Sequence, residues 1–139
     1  MKIVITSHGD LCTGLVNSLN MIAGTNEHIY AVKLTESGIG DYTQKLYSLF
    51  DELLAEDLVL ILTDIKGGTP YNQSYRYYLQ HPDKTKVVYG VNLPMLIETS
   101  LMLNSTKSLE ELANIAENAA KTGIGITEPS DNDEDDDLF

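Results

Sequence analysis

The sequence predicts a doubly wound α/β fold: a mainly parallel sheet of four strands in the order 2-1-3-4, with helices on both faces. Two observations predict it. Short apolar runs alternate with longer amphipathic segments along the 139 residues, which is the pattern of strands joined by right-handed helical crossovers. The run at residues 58–63 is apolar towards both faces, as expected for a central strand covered by helices on each side.

The first half of the chain contains two strands and two helices. The strands are predicted at residues 2–7 and 29–34, and the helices at residues 11–23 and 41–54. The first helix carries apolar residues at helical spacing: Leu11, Leu15, Leu19 and Ile22. Gly24 follows as its C-cap, and Asp41 is expected to cap the second helix.

The second half repeats the alternation. Strands are predicted at residues 58–63 and 86–91, and helices at residues 71–79, 94–103 and 108–123. Pro94 opens the middle helix of these three. The segment Ser108-Leu109-Glu110-Glu111 is a capping box that starts the last one. Residues 124–127 are a candidate for a short fifth strand at an edge of the sheet.

Charge divides the chain into two parts. The net charge is −12, but residues 128–139 hold seven acidic residues and no basic one, which leaves −5 for residues 1–127. We therefore predict a folded domain at residues 1–127 and a disordered acidic tail at residues 128–139, either solubilising or regulatory. A mildly acidic domain would repel a polyphosphate backbone, which argues against nucleic-acid binding. No apolar stretch approaches the ~20 residues of a membrane span, so a cytoplasmic location is expected.

Two titratable residues follow the first and third strands. His8 comes at the end of the first apolar run and Asp64 at the end of the third. In the order 2-1-3-4 these strands are neighbours about 4.8 Å apart, and ligands bind at this reversal of the winding. A carboxylate next to a histidine fixes its tautomer and leaves the other ring nitrogen free as a nucleophile.

The loop after Asp64 is rich in glycine. Gly67 and Gly68 let backbone N–H groups converge on an anion, Thr69 offers a hydroxyl group and Asn72 an amide. Beside a nucleophilic histidine, these four residues are predicted to hold phosphoryl oxygens. The alternative is a plain strand–helix turn in which Thr69 caps the helix.

Two further polar residues are predicted to support this site. Ser7 directly precedes His8, and Asn92 comes at the end of the fourth predicted strand, at the same rim of the sheet. A metal ion is not required, because the chain has no ligand spacing such as His-x-x-x-His or Cys-x-x-Cys. No organic cofactor is expected either.

Three segments carry a resemblance to a known family. They are Ser7-His8-Gly9, Asp64-x-Lys66-Gly67-Gly68-Thr69-Pro70-Tyr71-Asn72, and Gly90-Val91-Asn92-Leu93-Pro94-Met95-Leu96-Ile97-Glu98-Thr99. Together they resemble the mannose-family enzyme IIA of the bacterial phosphoenolpyruvate-dependent sugar phosphotransferase system (PTS). The resemblance runs over residues 1–127.

The resemblance implies a phosphocarrier. His8 would accept a phosphoryl group on Nε2, the tele nitrogen, from phospho-HPr and pass it to a separate IIB component, while Asp64 bonds Nδ1. IIB would then phosphorylate a sugar that enters through the membrane IIC/IID permease. Family members are homodimers in which the last strand can cross to the partner's sheet. Residues 124–127 would form that strand here.

Three alternatives remain at this point. One is the phosphotransfer subunit of a PTS-dependent dihydroxyacetone kinase, which shares the histidine after the first strand. Another is a receiver-like signalling module with Asp64 as the phosphoacceptor, but the first strand is followed by a single acid, Asp10, where receivers need an acidic metal site. The third is flavin binding of the flavodoxin type, for which the first turn has too few hydroxyl groups.

Overall fold

The computed structural model describes residues 1–129 and contains four strands and five helices in that range. The strands are β1 (Lys2–His8), β2 (Ile29–Leu34), β3 (Val59–Thr63) and β4 (Thr85–Val88). The helices are α1 (Leu11–Ala23), α2 (Ile39–Leu54), α3 (Thr69–Gln80), α4 (Leu93–Met102) and α5 (Leu109–Thr122).

The strands form one parallel sheet in the order β2-β1-β3-β4, which confirms the predicted topology. All five residues of β3 are buried, as the apolar run predicted for a central strand. Apolar side chains fill the space on both faces of the sheet. On one face the core includes Leu19, Leu96 and Leu112, and on the other it includes Leu46 and Phe50.

Helix termini agree with the sequence at two of three predicted caps. Gly24 closes α1 with its N–H donating to the Asn20 carbonyl at 3.1 Å, and the Ser108 hydroxyl accepts from the Glu111 N–H at 3.1 Å. Asp41 is wrong as the cap of α2, since the helix begins earlier and its N-cap is Gly38. Asp41 lies in the first turn instead, where an acid suits the helix dipole.

Besides the start of α2, the two largest differences in element boundaries at the rim where the site lies concern α3 and β4. α3 begins at Thr69 rather than Tyr71, because Pro70 needs no hydrogen-bond acceptor in the first turn of a helix. β4 ends at Val88 rather than residue 91. Gly90 adopts a φ of +80°, and its N–H donates to the Asp64 carbonyl at 2.8 Å, so the chain turns across the end of β3.

Residues 124–127 form no strand in the described part of the chain, so the candidate fifth strand is absent from this chain's sheet. A strand needs a backbone partner, and these residues lie exposed instead, with Ile124 76% and Ile126 92% exposed. The expected acidic tail at residues 128–139 lies outside the described residues from residue 130 onward. Among residues 1–129, no helix combines the length and apolar character needed to cross a membrane.

Candidate functional site

His8 and Asp64 meet at the carboxyl ends of β1 and β3. The two strands run in register up to the pair Thr6 and Thr63, so the residues that follow lie side by side at the edge of the sheet. The His8 Nδ1 lies 2.7 Å from the Asp64 Oδ2, and the His8 backbone N–H donates to the same oxygen at 2.8 Å. The Ile65 N–H donates to Oδ1 at 2.8 Å. The carboxyl group is thus held by three hydrogen bonds.

The environment keeps Asp64 ionised. The Asp64 side chain is only 11% exposed, and this burial raises the pKa of its carboxyl group. The hydrogen bonds from the His8 backbone, the His8 ring and the Ile65 N–H lower that pKa by more, so the net pKa is lowered. A carboxylate has no proton to give, so Nδ1 must carry the hydrogen of the Nδ1–Oδ2 bond. The bond thus selects the tautomer of the neutral ring in which Nε2 has the lone pair.

The imidazole ring is open to approach. Its side chain is 51% exposed, in contrast to the carboxylate behind it. Nε2, on the side of the ring away from Asp64, is therefore accessible to a large partner such as another protein. The imidazole thus lies at the surface, and the carboxylate that orients it lies underneath.

The glycine-rich loop lies directly against this ring. Gly67 has a φ of +87°, a conformation that favours glycine. The Gly68 N–H closes a turn onto the Ile65 carbonyl at 3.2 Å, and the Asn72 side-chain amide donates to the Gly67 carbonyl at 3.0 Å. Thr69 is the first residue of α3, so its N–H is among those that a helix leaves unpaired in its first turn. Of the four predicted loop residues, Gly68 and Asn72 thus donate hydrogen bonds to backbone carbonyls of the loop itself, through a backbone N–H and a side-chain amide respectively.

Ser7 and Asn92 have their hydrogen bonds elsewhere. The buried Ser7 hydroxyl accepts from the Cys12 N–H at 2.9 Å and donates to the Gly9 carbonyl at 3.2 Å, which fixes the turn from β1 into α1. Asn92 is the N-cap of α4: its Oδ1 accepts from the Met95 N–H at 3.0 Å, and its Nδ2 donates to the Ala120 carbonyl at 3.2 Å. Both residues use their hydrogen bonds to stabilise elements around the site rather than to hold the imidazole.

The sequence reasoning missed an ion pair at the same rim. The Lys33 ammonium group at the end of β2 lies 2.8 Å from the Asp10 Oδ1, and this hydrogen bond and charge lower the pKa of the Asp10 carboxyl group. The signal was available in principle, because Lys33 pairs in register with Ser7 and so must lie beside the β1–α1 turn. The acidic residue that follows β1, Asp10, is therefore already paired with Lys33.

The geometry also bears on the receiver-like alternative. Both oxygens of Asp64 accept hydrogen bonds from this chain and the group is largely buried, which is unfavourable for a phosphoacceptor. Residues 1–129 contain no group of three or more His, Cys, Asp or Glu side chains placed to hold a metal ion. Because Asp64 is largely buried and already hydrogen-bonded, the exposed His8 is the better candidate for group transfer.

Comparison with known proteins gives a consistent result. Residues 2–117 match the family model EIIA-man, described as the PTS system fructose IIA component. The PTS system fructose-specific EIIA component of Bacillus subtilis (strain 168) is 33% identical over 115 residues, which are 82% of this chain and 77% of that protein. The PTS system mannose-specific EIIAB component of Escherichia coli (strain K12) is 29% identical over 128 residues, which are 89% of this chain and 38% of that protein.

Solved structures agree in fold. Phosphotransferase system component EIIA from Streptococcus agalactiae superposes with a TM-score of 0.80 at 31% identity, covering 90% of this chain and 95% of that one. The mannose/sorbose specific IIA subunit from Enterococcus faecalis gives a TM-score of 0.79 at 27% identity, covering 93% and 96%. With a family model over most of its length and these relatives, the chain belongs to the mannose family of PTS IIA components.

Proposed function

We propose that this protein is a phosphocarrier in which His8 accepts a phosphoryl group on Nε2 from phospho-HPr and passes it to a IIB component. The observation that carries the proposal is the 2.7 Å bond between the His8 Nδ1 and the Asp64 Oδ2 beneath a half-exposed ring. That bond selects the tautomer with a lone pair on Nε2.

The transfer step needs only these two side chains and the loop. The Nε2 lone pair forms a bond to phosphorus as the bond from phosphorus to its donor atom in phospho-HPr breaks, and that electron pair leaves with HPr. The Nδ1 proton stays on the ring, and the Asp64 carboxylate stabilises the positive charge of the phosphorylated imidazole. Thr69 and the loop of Gly67 and Gly68 hold the phosphoryl oxygens, and Asn72 holds that loop in shape. Neither metal ion nor organic cofactor takes part.

The partners are proposed from the family and from the names of its members. Relatives are named as fructose-, mannose- and sorbose-specific PTS components, and one of them joins IIA and IIB in a single protein. We therefore place this protein in the cytoplasm, between HPr and a IIB component that serves a IIC/IID permease in the membrane. Ser7 and Asn92 support the site by holding the helices around it.

A homodimer is part of the proposal. β4 is the last strand of the sheet, so one of its edges is free within the described chain. Residues 124–127 follow α5 and present Ile124 and Ile126 to solvent. Exposed apolar residues beside an open strand edge favour pairing with another chain. We propose that this segment pairs with β4 of a second copy.

A labelling experiment tests the central step. Incubation with phosphoenolpyruvate, enzyme I and HPr is expected to attach a phosphate that is labile in acid and stable in base, as a phosphohistidine is. His8→Ala is expected to abolish it, whereas His28→Ala is the matched control and should be labelled normally. Label retained in His8→Ala would overturn the role of His8, and an acid-stable product sensitive to hydroxylamine would assign the phosphoryl group to Asp64 instead.

The second candidate is distinguished by the acceptor. A phosphotransfer subunit of a PTS-dependent dihydroxyacetone kinase would carry the same label but would pass it to a kinase subunit. The relatives named for sugars favour the IIB acceptor. Transfer of the label to purified IIB, with concomitant loss from this protein, is the expected result.

A further inference from the structure

Gly68 is a glycine for a reason other than its backbone conformation. Its φ of −79° and ψ of 169° lie in the extended region that any residue adopts. Its neighbour Gly67, by contrast, has a φ of +87°, where side chains are strained. Conformation therefore explains the glycine at position 67 and leaves the one at position 68 to be explained by its surroundings.

The surroundings of Gly68 are the His8 ring itself. A β-carbon at position 68 would lie 2.7 Å from the His8 Cε1, 3.4 Å from the His8 Nε2 and 3.1 Å from the Ile65 Cγ2. Non-bonded carbon atoms prefer a separation of about 3.5–4.0 Å. The shortest of these contacts is therefore impossible without movement, and either the ring or the loop must shift.

Neither side is free to move without loss. The ring is tied to Asp64 at Nδ1, and Asp64 is held in turn by the Ile65 N–H. On the other side, the Gly68 N–H donates to the Ile65 carbonyl at 3.2 Å, and the Gly68 carbonyl accepts from the Asn72 N–H at 2.8 Å. The imidazole thus lies between the carboxylate that holds one nitrogen and a backbone segment that leaves no room for a side chain.

We propose that Gly68 is a positioning residue: because it has no side chain, the His8 ring can pack against the loop in the orientation needed for phosphoryl transfer. This inference rests on the proposed role of His8 and adds to it a determinant of the ring position. A side chain at position 68 would push the ring away from the loop, weaken its bond to Asp64 and move Nε2 from the place at which it attacks phosphorus. Displacement of a reacting group by about 1 Å can cost about 100-fold in rate.

The test compares Gly68→Ala with Gly40→Ala. Gly40 lies in the first turn of α2 with no atom within 4 Å of an added β-carbon and no positive φ, so it is a matched glycine-to-alanine control. With purified phospho-HPr as donor, we expect Gly68→Ala to lower the rate of phosphorylation about 10- to 100-fold and Gly40→Ala to leave it unchanged. Ring ¹⁵N NMR of His8 in the unphosphorylated protein should show less of the Nδ1–H tautomer in Gly68→Ala only.

A double-mutant cycle separates the contact from a general loss of stability. We expect Gly68→Ala to lower the urea midpoint in the wild-type background and to have a clearly smaller effect when His8 is also alanine, because the ring that it opposes is gone. Equal losses in both backgrounds, with an unchanged tautomer population, would overturn the positioning role. Failure of phospho-HPr to label the wild-type protein would instead overturn the proposed function, while NMR and the cycle still decide the role of Gly68.

Discussion

Asp64 Oδ2 accepts two hydrogen bonds from His8, one from ring Nδ1 at 2.7 Å and one from the backbone N–H at 2.8 Å. A single oxygen therefore fixes both the end of β1 and the orientation of the ring that follows it. Rotation of the imidazole away from Asp64 would break the first bond but leave the second. The backbone bond would thus keep the carboxylate beside His8 even if the ring rotated.

Asp64→Asn is expected to slow phosphoryl transfer about 100-fold or more while the protein stays folded. The carboxylate accepts three hydrogen bonds, and an amide can accept only with its one oxygen, so its NH₂ group must face at least one N–H donor. It also lacks the charge that stabilises the phosphorylated ring. Rapid-quench kinetics with phospho-HPr measures the rate.

The control for that variant is Asp10→Asn, which removes an acidic charge from the same rim without touching His8. It should have a much smaller effect on the rate. A normal rate in Asp64→Asn would remove this carboxylate from the mechanism.

Acid should weaken the contribution of Asp64 to stability. Burial raises its pKa, but the hydrogen bonds outweigh it and the net pKa lies below the ordinary value of 3.8. A carboxyl group with a lower pKa in the folded than in the unfolded chain favours folding above the unfolded value, and this contribution is lost as the pH falls through the folded pKa. The difference in urea midpoint between wild type and Asp64→Asn should therefore have its full size at about pH 5. It should shrink as the pH falls below the ordinary carboxyl pKa of 3.8. A constant difference over this range would contradict the assignment.

Asn92→Ala should act on stability more than on transfer. The side chain caps α4 and also ties it to the Ala120 carbonyl of α5, and loss of an Asn cap costs about 1 kcal/mol. Urea unfolding is expected to report a loss of about 1–2 kcal/mol. The phosphorylation rate should fall far less than in Asp64→Asn. A loss of rate as large as that variant's would give Asn92 a direct part in the site.

Replacement of both Ile124 and Ile126 by Asp should convert the proposed dimer into a monomer. Charged side chains cannot be buried against the β4 edge of a second chain without a large desolvation penalty. Light scattering after size-exclusion chromatography measures the mass, and circular dichroism should show an unchanged fold. Met21→Asp, at a position 85% exposed on α1, is the control. A wild-type protein that is monomeric at all concentrations would contradict the dimer.

The topology could be predicted because its signals are local and strong. The apolar run of β3 and the alternation of strands with helices lead to the order 2-1-3-4, and that order alone makes His8 and Asp64 neighbours. Boundaries were predicted less well. The turn at Gly90 depends on a hydrogen bond to Asp64, 26 residues earlier in the chain, and such a partner cannot be read from the sequence around the glycine.

The details of the site were less accessible for the same reason. From the sequence, Asn92 is a polar residue at the end of a strand. In the structure, its amide donates to the Ala120 carbonyl of α5, a partner that lies 28 residues later in the chain. The sequence predicts Gly68 as part of a loop that holds an anion. Its backbone conformation is ordinary, however, and a β-carbon there would clash with His8, 60 positions away in the sequence. Residues 124–127 were predicted as a short strand, but they pair with none of the four strands of the described chain.

The loops around His8 are joined to one another beyond the ends of the strands. The Gly9 N–H donates to the Leu34 carbonyl and the Gly90 N–H to the Asp64 carbonyl, each at 2.8 Å. These bonds order the two loops when the chain folds, so less ordering entropy is left to be lost when a partner binds. The proposed donor and acceptor proteins would bind the same ordered surface one after the other. Selectivity between them would then come from differences between the two partners and from the presence or absence of the charged phosphoryl group on Nε2.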